Sequence, residues 1–159
     1  MPRLSPPKKR YPEWEVHLYN ANKHSIALNL KVPTDLATAL TLIATADVYL
    51  ENFGPGVIDR LGLGYDVVHE QNPRLVYCSI SGFGQSGPYS TARAYDTVVQ
   101  AMSGIMSLTG DEMPTKIGVS AADLLGPSFA CIPILAALLH RNRGGPGQQI
   151  DVSMYDVCA

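Results

Sequence analysis

The chain has 159 residues, a length suited to one domain, with 46% apolar residues, 16% charged residues and a net charge of −2. The charged share is low against about a quarter in ordinary soluble domains, so the chain is not disordered by composition and must bury much of its surface. The charge is also uneven: residues 1–10 hold four basic and no acidic residues, while the remainder holds 8 basic against 14 acidic ones, which excludes a generally basic nucleic-acid binder.

Residues 1–14, with Pro2, Pro6, Pro7 and Pro12, read as an irregular basic tail, and 15–159 as part of one domain. No hydrophobic stretch follows the tail, so it is not a secretory signal. Residues 25–30 (SIALNL) alternate and predict a strand. Pro33 suits the first turn of a helix, and Leu36, Leu40 and Ile43 carry that helix to about Ala46. Residues 47–50 (DVYL) predict a short strand, 53–56 a tight loop, and 57–61 one helical turn. A short helix over 66–71 stops before Pro73. Residues 75–80 (LVYCSI) are nearly continuous apolar sequence, the mark of a strand buried on both faces. A Gly-rich loop over 81–90 leads to a helix over 94–108, then a loop over 110–118. Residues 123–143 predict a long apolar helix that Pro133 should kink. A last strand covers 149–153, and Met154 begins a further element. Strands alternating with helices predict an α/β fold around a mainly parallel sheet.

The most apolar uncharged run, 124–139, has 16 residues and contains Gly126, Pro127 and Pro133. That is short of the roughly 20 residues of a membrane span, so a buried core helix and no membrane association are expected. Cys78, Cys131 and Cys158 are an odd number without close spacing. They read as reduced, buried thiols of a cytoplasmic protein rather than a disulfide frame or zinc site.

Gly62-Leu63-Gly64 resembles only part of a phosphate loop. Gly82-Phe83-Gly84-Gln85-Ser86-Gly87 matches the spacing of a dinucleotide fingerprint after a strand, but Pro88 and more loop follow where a helix is required. The segment 51–56 follows a strand, where α/β sheets carry their ligand crevices. Asn52 can hydrogen-bond a purine or an amide, Phe53 can stack, and Arg60 can reach a phosphate; a structural turn with a buried Phe and a surface Arg is the alternative. Asp123, among Ala121, Ala122, Leu124 and Leu125, is either an N-cap or a carboxylate made more nucleophilic by desolvation. Glu51, Asp96 and Asp151 are further acids at strand ends or helix starts, and one sequence pairs none of them. His17, His24, His69 and His140 lack metal-ligand spacing, and neither Ser86 nor Cys78 sits in a nucleophile signature, so metal catalysis and triad hydrolysis are unsupported.

Taken together, several ordered motifs carry a resemblance: Asn20-Ala21-Asn22-Lys23-His24-Ser25, the run 46–56, the run 77–88, Ala94-Tyr95-Asp96, Ala122-Asp123-Leu124 and the run 145–154. From Leu18 to Val157 the sequence resembles the class III CoA-transferases, the CaiB/BaiF family, whose members include formyl-CoA and carnitine CoA-transferases and α-methylacyl-CoA racemase. The resemblance implies a doubly wound, Rossmann-like large domain, here partial, with the family's small domain absent, and two chains interlocked as a homodimer. It also implies that this chain is an internal fragment, inactive by itself, with a foreign or degraded first dozen residues.

By the same resemblance Asp123 matches the nucleophile that forms a mixed anhydride and then an aspartyl-CoA thioester. Leu28, Asn52, Phe53, Arg60, Arg93 and Tyr95 match positions around coenzyme A. CoA and acyl-CoA would be substrates, a carboxylic acid the acceptor, and no cofactor would be permanently bound. The racemase branch has a His where Tyr95 stands; a tyrosine is a poor general base near neutrality, which favours transferase over racemase. A truncated, inactive remnant is the non-enzyme alternative.

Overall fold

The structure is a computed structural model that describes residues 17–110 and 112–159; the basic tail over 1–14 lies outside the described residues. Three strands form a parallel sheet in the order β1 (Val48–Glu51), β2 (Val76–Ser81), β3 (Gln149–Ser153), with Glu51 opposite Ser79 and Ser81 opposite Ser153. All six residues of β2 are buried, as their continuous apolar character requires.

One face of the sheet is covered by α1 (Pro33–Ala44), α2 (Val57–Arg60) and α3 (Tyr65–Gln71). Ala39 and Ile43 of α1, Ile58 of α2 and Val68 of α3 pack there with Leu63, Leu75 and Tyr77. Pro33 sits in the first turn of α1, where its missing N–H leaves no bond unmade. On the opposite face lie α4 (Asp96–Met102), α5 (Ala121–Asn142) and α6 (Met154–Cys158). Cys78, Ile80 and Val152 of the strands meet Ala130 of α5, and Val99, Ala122 and Cys158 join the three helices. Helices on both faces of a parallel sheet are the α/β arrangement that the alternating pattern predicts.

Helix α5 touches the sheet with small residues. Gly126, Ala130 and Ala137 are buried along it, and a Cβ on Gly126 would come within 3.1 Å of Met154 Cγ and 3.6 Å of Ile80 Cγ2. At its far end buried Arg141 clamps the strand entrances: Nη2 donates to Asp47 Oδ1 at 2.7 Å, and Nη1 to the Arg74 carbonyl at 3.3 Å.

The structure corrects four expectations. Residues 25–30 join no ladder and form no regular element; Leu28 and Leu30 pack against the α1–α3 core, so the alternation reflects one-sided packing. The helix over 94–108 is two pieces, because Gly104 takes a left-handed φ of 85° between α4 and a 3₁₀ turn, Ile105–Leu108. Helix α5 runs through Pro127 and Pro133 as one 22-residue element, long and apolar enough by length and composition to cross a membrane, but it is no all-round core helix. Phe129, Ile132, Leu135 and Leu139 are exposed because neighbours cover only its small-residue side. Cys131 is exposed with them, whereas Cys78 and Cys158 are buried; all three are free thiols.

Gly147 is where the chain re-enters the sheet, its N–H bonded to the Pro73 carbonyl at 2.9 Å. A Cβ there would overlap the Leu75 carbonyl and lie 2.7 Å from Arg74 C and 2.8 Å from Leu75 N, all backbone that cannot step aside. Gly147→Ala should therefore destabilise by about 1–3 kcal/mol in equilibrium unfolding. An unchanged denaturation midpoint would contradict this packing.

Candidate functional site

A cleft of about 1090 Å³ opens over the C-terminal ends of β1 and β2, the position where open α/β sheets bind ligands. Its floor includes Leu50, Ile80 and Ser81; one wall is the 52–60 segment, another the 90–96 loop, and Asp123 and Pro127 of α5 close a third side.

The 52–60 wall is shaped by Glu51. This carboxylate is buried, and its Oε2 accepts the Phe53 N–H at 2.7 Å, which turns the chain out of β1 and leaves Asn52 and Phe53 exposed at the cleft. Gly56 then adopts φ 72° to start α2, and Arg60 Nη1 lies 3.3 Å from where a Cβ on that glycine would stand. The guanidinium is thereby folded back along the wall, exposed, and its donors, unpaired among the described residues, can meet phosphate oxygens. Arg93 and Tyr95 stand on the opposite wall, Tyr95 72% exposed.

Asp123 lies in the first turn of α5, after N-cap Ser120, so the N-cap alternative does not hold. The residue that secures this helix start is Asp96, which is only 8% exposed. Its Oδ1 accepts the Ala122 N–H at 2.9 Å, and its Oδ2 accepts from Gln100 Nε2 at 2.8 Å and pairs with Lys116 Nζ at 3.4 Å. Gln100 adds a bond from Ile117 N–H to its Oε1 at 3.0 Å, tying the 112–120 loop to α4. The carboxyl of Asp123 is held above the ordinary aspartate range, first by desolvation, then by repulsion from Asp96, with Lys116 acting the other way. The side chain is exposed by area, yet the cleft walls still strip part of its hydration. The thiol of Cys78, by contrast, is pushed up to about 11 by burial and then by the negative Glu51, which makes it inert near neutrality.

Asn52, Phe53, Arg60, Arg93, Tyr95 and Asp123 are thus brought to one cleft from three separate segments. Leu28 is not among its lining residues; its side chain is half-buried against the α1–α3 core. Sequence reasoning missed the Asp96–Gln100–Lys116 network. Its local signal was an acid beginning an apolar helix with Gln100 one turn on, while Ala122 lies on another helix and Lys116 in a loop.

The family model described as CoA-transferase family III matches residues 1–159. An acetyl-CoA:oxalate CoA-transferase from Acetobacter aceti is 53% identical over 140 residues, covering 86% of this chain and 36% of that protein. A succinate–glutarate CoA-transferase from Agrobacterium fabrum is 46% identical, covering 89% of this chain and 36% of that protein. The crystal structure of a CaiB/BaiF family protein from Brucella suis superposes with a TM-score of 0.85 at 42% identity, covering 87% of this chain and 37% of that one. The chain therefore spans 36% of the length of these curated relatives.

The charges around Asp123 give a direct test. Lys116→Met removes the attraction that favours the ionised form, so the Asp123 carboxyl should titrate still higher; Asp96→Asn removes the repulsion and should bring it down. Carboxyl-carbon NMR titration reads both. Shifts of the opposite sign would overturn this electrostatic arrangement.

Proposed function

The chain belongs to CoA-transferase family III, and from that premise we propose that the complete polypeptide carrying it moves coenzyme A from an acyl-CoA to a carboxylic acid. The observation that carries this reading is the gathering of Asp123 with Asn52, Phe53, Arg60, Arg93 and Tyr95 in one cleft at the strand ends. One carboxylate faces two guanidiniums, an aromatic face and an amide. That is a charge layout suited to a ligand with phosphates and a purine at one end and a reactive carbonyl at the other.

In this reading an Asp123 carboxylate oxygen attacks the thioester carbonyl carbon. The carbon–sulfur bond breaks, CoA leaves as the thiolate, and an acyl–aspartyl anhydride remains. The thiolate then attacks the aspartyl carbonyl, giving an aspartyl-CoA thioester and releasing the donor acid. The acceptor carboxylate repeats the sequence in reverse: it displaces the thiolate to form a new anhydride, and the thiolate takes the acceptor's acyl group and frees Asp123. No net proton is needed. A carboxylate raised in pKa is the more nucleophilic once ionised, so the desolvation at Asp123 serves the first step. Arg60 and Arg93 are proposed to chelate phosphate oxygens, Phe53 to stack on the adenine, Asn52 to bond its edge, and Tyr95 to line the acyl pocket. Leu28 is proposed to meet the nucleotide through its backbone.

CoA is a substrate in this scheme and no resident cofactor is required. The proposed assembly is a cytoplasmic homodimer, and the exposed Phe129, Ile132, Leu135 and Leu139 on α5 support burial of that face against protein. Tyr95 argues for transfer over α-carbon racemisation, because no imidazole stands beside Asp96 to act as the second base.

In the complete polypeptide, Asp123→Asn should abolish transfer while leaving CoA affinity within a few-fold; near-normal turnover would sink the assignment. Arg60→Ala or Arg93→Ala should raise the KM for acyl-CoA more than it lowers kcat. A sharp fall in melting temperature with unchanged KM would make those arginines structural instead. Rapid deuterium uptake at the α-carbon of a 2-methylacyl-CoA would favour the racemase branch.

A further inference from the structure

The floor of the cleft holds a polar group that no described residue uses. Ser81, the last residue of β2, is 6% exposed, lines the cleft, and its Oγ is buried with no hydrogen-bond partner. Neighbouring hydroxyls are committed. Ser79, on the same strand face, bonds the Tyr77 phenol. Ser153, directly opposite Ser81 in the register, accepts the Asp156 N–H at 3.2 Å and starts α6. Among the described residues Ser81 alone of these three carries an unmade bond, and a buried hydroxyl left unpaired is destabilising. An alanine would remove that cost, since the flanking Ile80 and Gly82 ask nothing polar of the position.

Its place is defined by the two strand ends. Strand alternation sends Ile80 toward α5 and Ser81 to the other face, the side of Tyr77 and Glu51, from which the 52–60 wall departs. Ser81 therefore shares the cleft lining with that wall and with Asp123. The ligand portion that would cross this point runs between the phosphate end at Arg60 and the reactive carbonyl at Asp123. That portion offers carbonyl oxygens: amides along the pantetheine arm, then the thioester.

We propose that Ser81 is a ligand-binding residue whose hydroxyl, unpartnered among the described residues, donates to a carbonyl oxygen of the bound acyl-CoA. This inference rests on the CoA reading of the cleft. Because Ser81 lines the cleft, rotation about its single side-chain torsion is the motion by which the hydroxyl would reach a ligand there.

The test uses the complete polypeptide, with Ser81→Ala and the near-isosteric weak donor Ser81→Cys, titrated calorimetrically with CoA and with acetyl-CoA. Both variants should keep or raise the ligand-free melting temperature. Acetyl-CoA affinity should weaken by roughly 5- to 10-fold, the size of one net hydrogen bond to a prepared donor. The KM for acyl-CoA should rise in step while kcat changes little. Equal weakening for CoA assigns the bond to a pantetheine amide, and weakening confined to acetyl-CoA assigns it to the thioester. Unchanged affinity and KM in both variants overturn the proposal, as does a lowered melting temperature, which would mean the hydroxyl is used inside the fold. Failure of the unsubstituted protein to bind either ligand removes the CoA reading itself, and the Ser81 inference with it.

Discussion

Strand β2 has neither a free face nor a free edge. Its backbone is laddered to β1 on one side and β3 on the other, and every one of its side chains is buried. Parallel neighbours on both edges require crossovers rather than hairpins, and the crossovers supply the helices that cover the two faces. The same burial sets the side-chain sizes. Tyr77 fills the α1–α3 side with its ring edge-on to Tyr49 and Tyr65, at centroid distances of 5.3 and 5.6 Å. On the other side Cys78 and Ile80 are met by the glycine and alanines of α5, which let that helix lie close. Because all three strands run the same way, their carboxyl ends share one rim, and the loops leaving it become the walls of the cleft.

At that rim charge is sorted by depth. Buried Asp96 spends its carboxylate on the Ala122 amide, on Gln100 and on Lys116, so it is fully engaged in holding α4, α5 and the 112–120 loop together. Asp123, one residue beyond the amide that Asp96 holds, is left exposed and without such partners. Two acids near one another therefore differ in role through environment alone, one fixed by hydrogen bonds and the other available for chemistry. The guanidiniums of Arg60 and Arg93 stand across the cleft, and Glu51 works from beneath as a turn-former.

Periodicity made most of the elements legible: α1, the three strands and α5 all register in the apolar pattern because each buries a recurring side. It misled where the same pattern has two physical causes. Alternation over 25–30 comes from Leu28 and Leu30 touching the core, without the backbone partners that would make a strand. Apolarity all along α5 suggested complete burial, while the structure buries Ala121, Ala122, Gly126, Ala130, Ala137 and Arg141 and leaves Phe129, Ile132, Leu135 and Leu139 outside. Gly104 gave a helix break that composition alone did not announce. At the site, Asp123 and the cleft residues were legible through ordered motifs. The support beneath them was not, since Asp96 meets Ala122 and Lys116 across loops that no local pattern reveals.

The two prolines of α5 have a mechanical consequence. A proline has no N–H, so Pro127 withholds the backbone bond that the Asp123 carbonyl would otherwise receive, and Pro133 does the same to Phe129. The first turn is thus joined to the rest of the helix by one fewer rung. It is fastened instead from outside, by Asp96, while the far end is fastened by Arg141. In a helix of 22 residues, about 33 Å long, the placing of the first turn thus rests on Asp96 at one end as much as on the helix's own ladder.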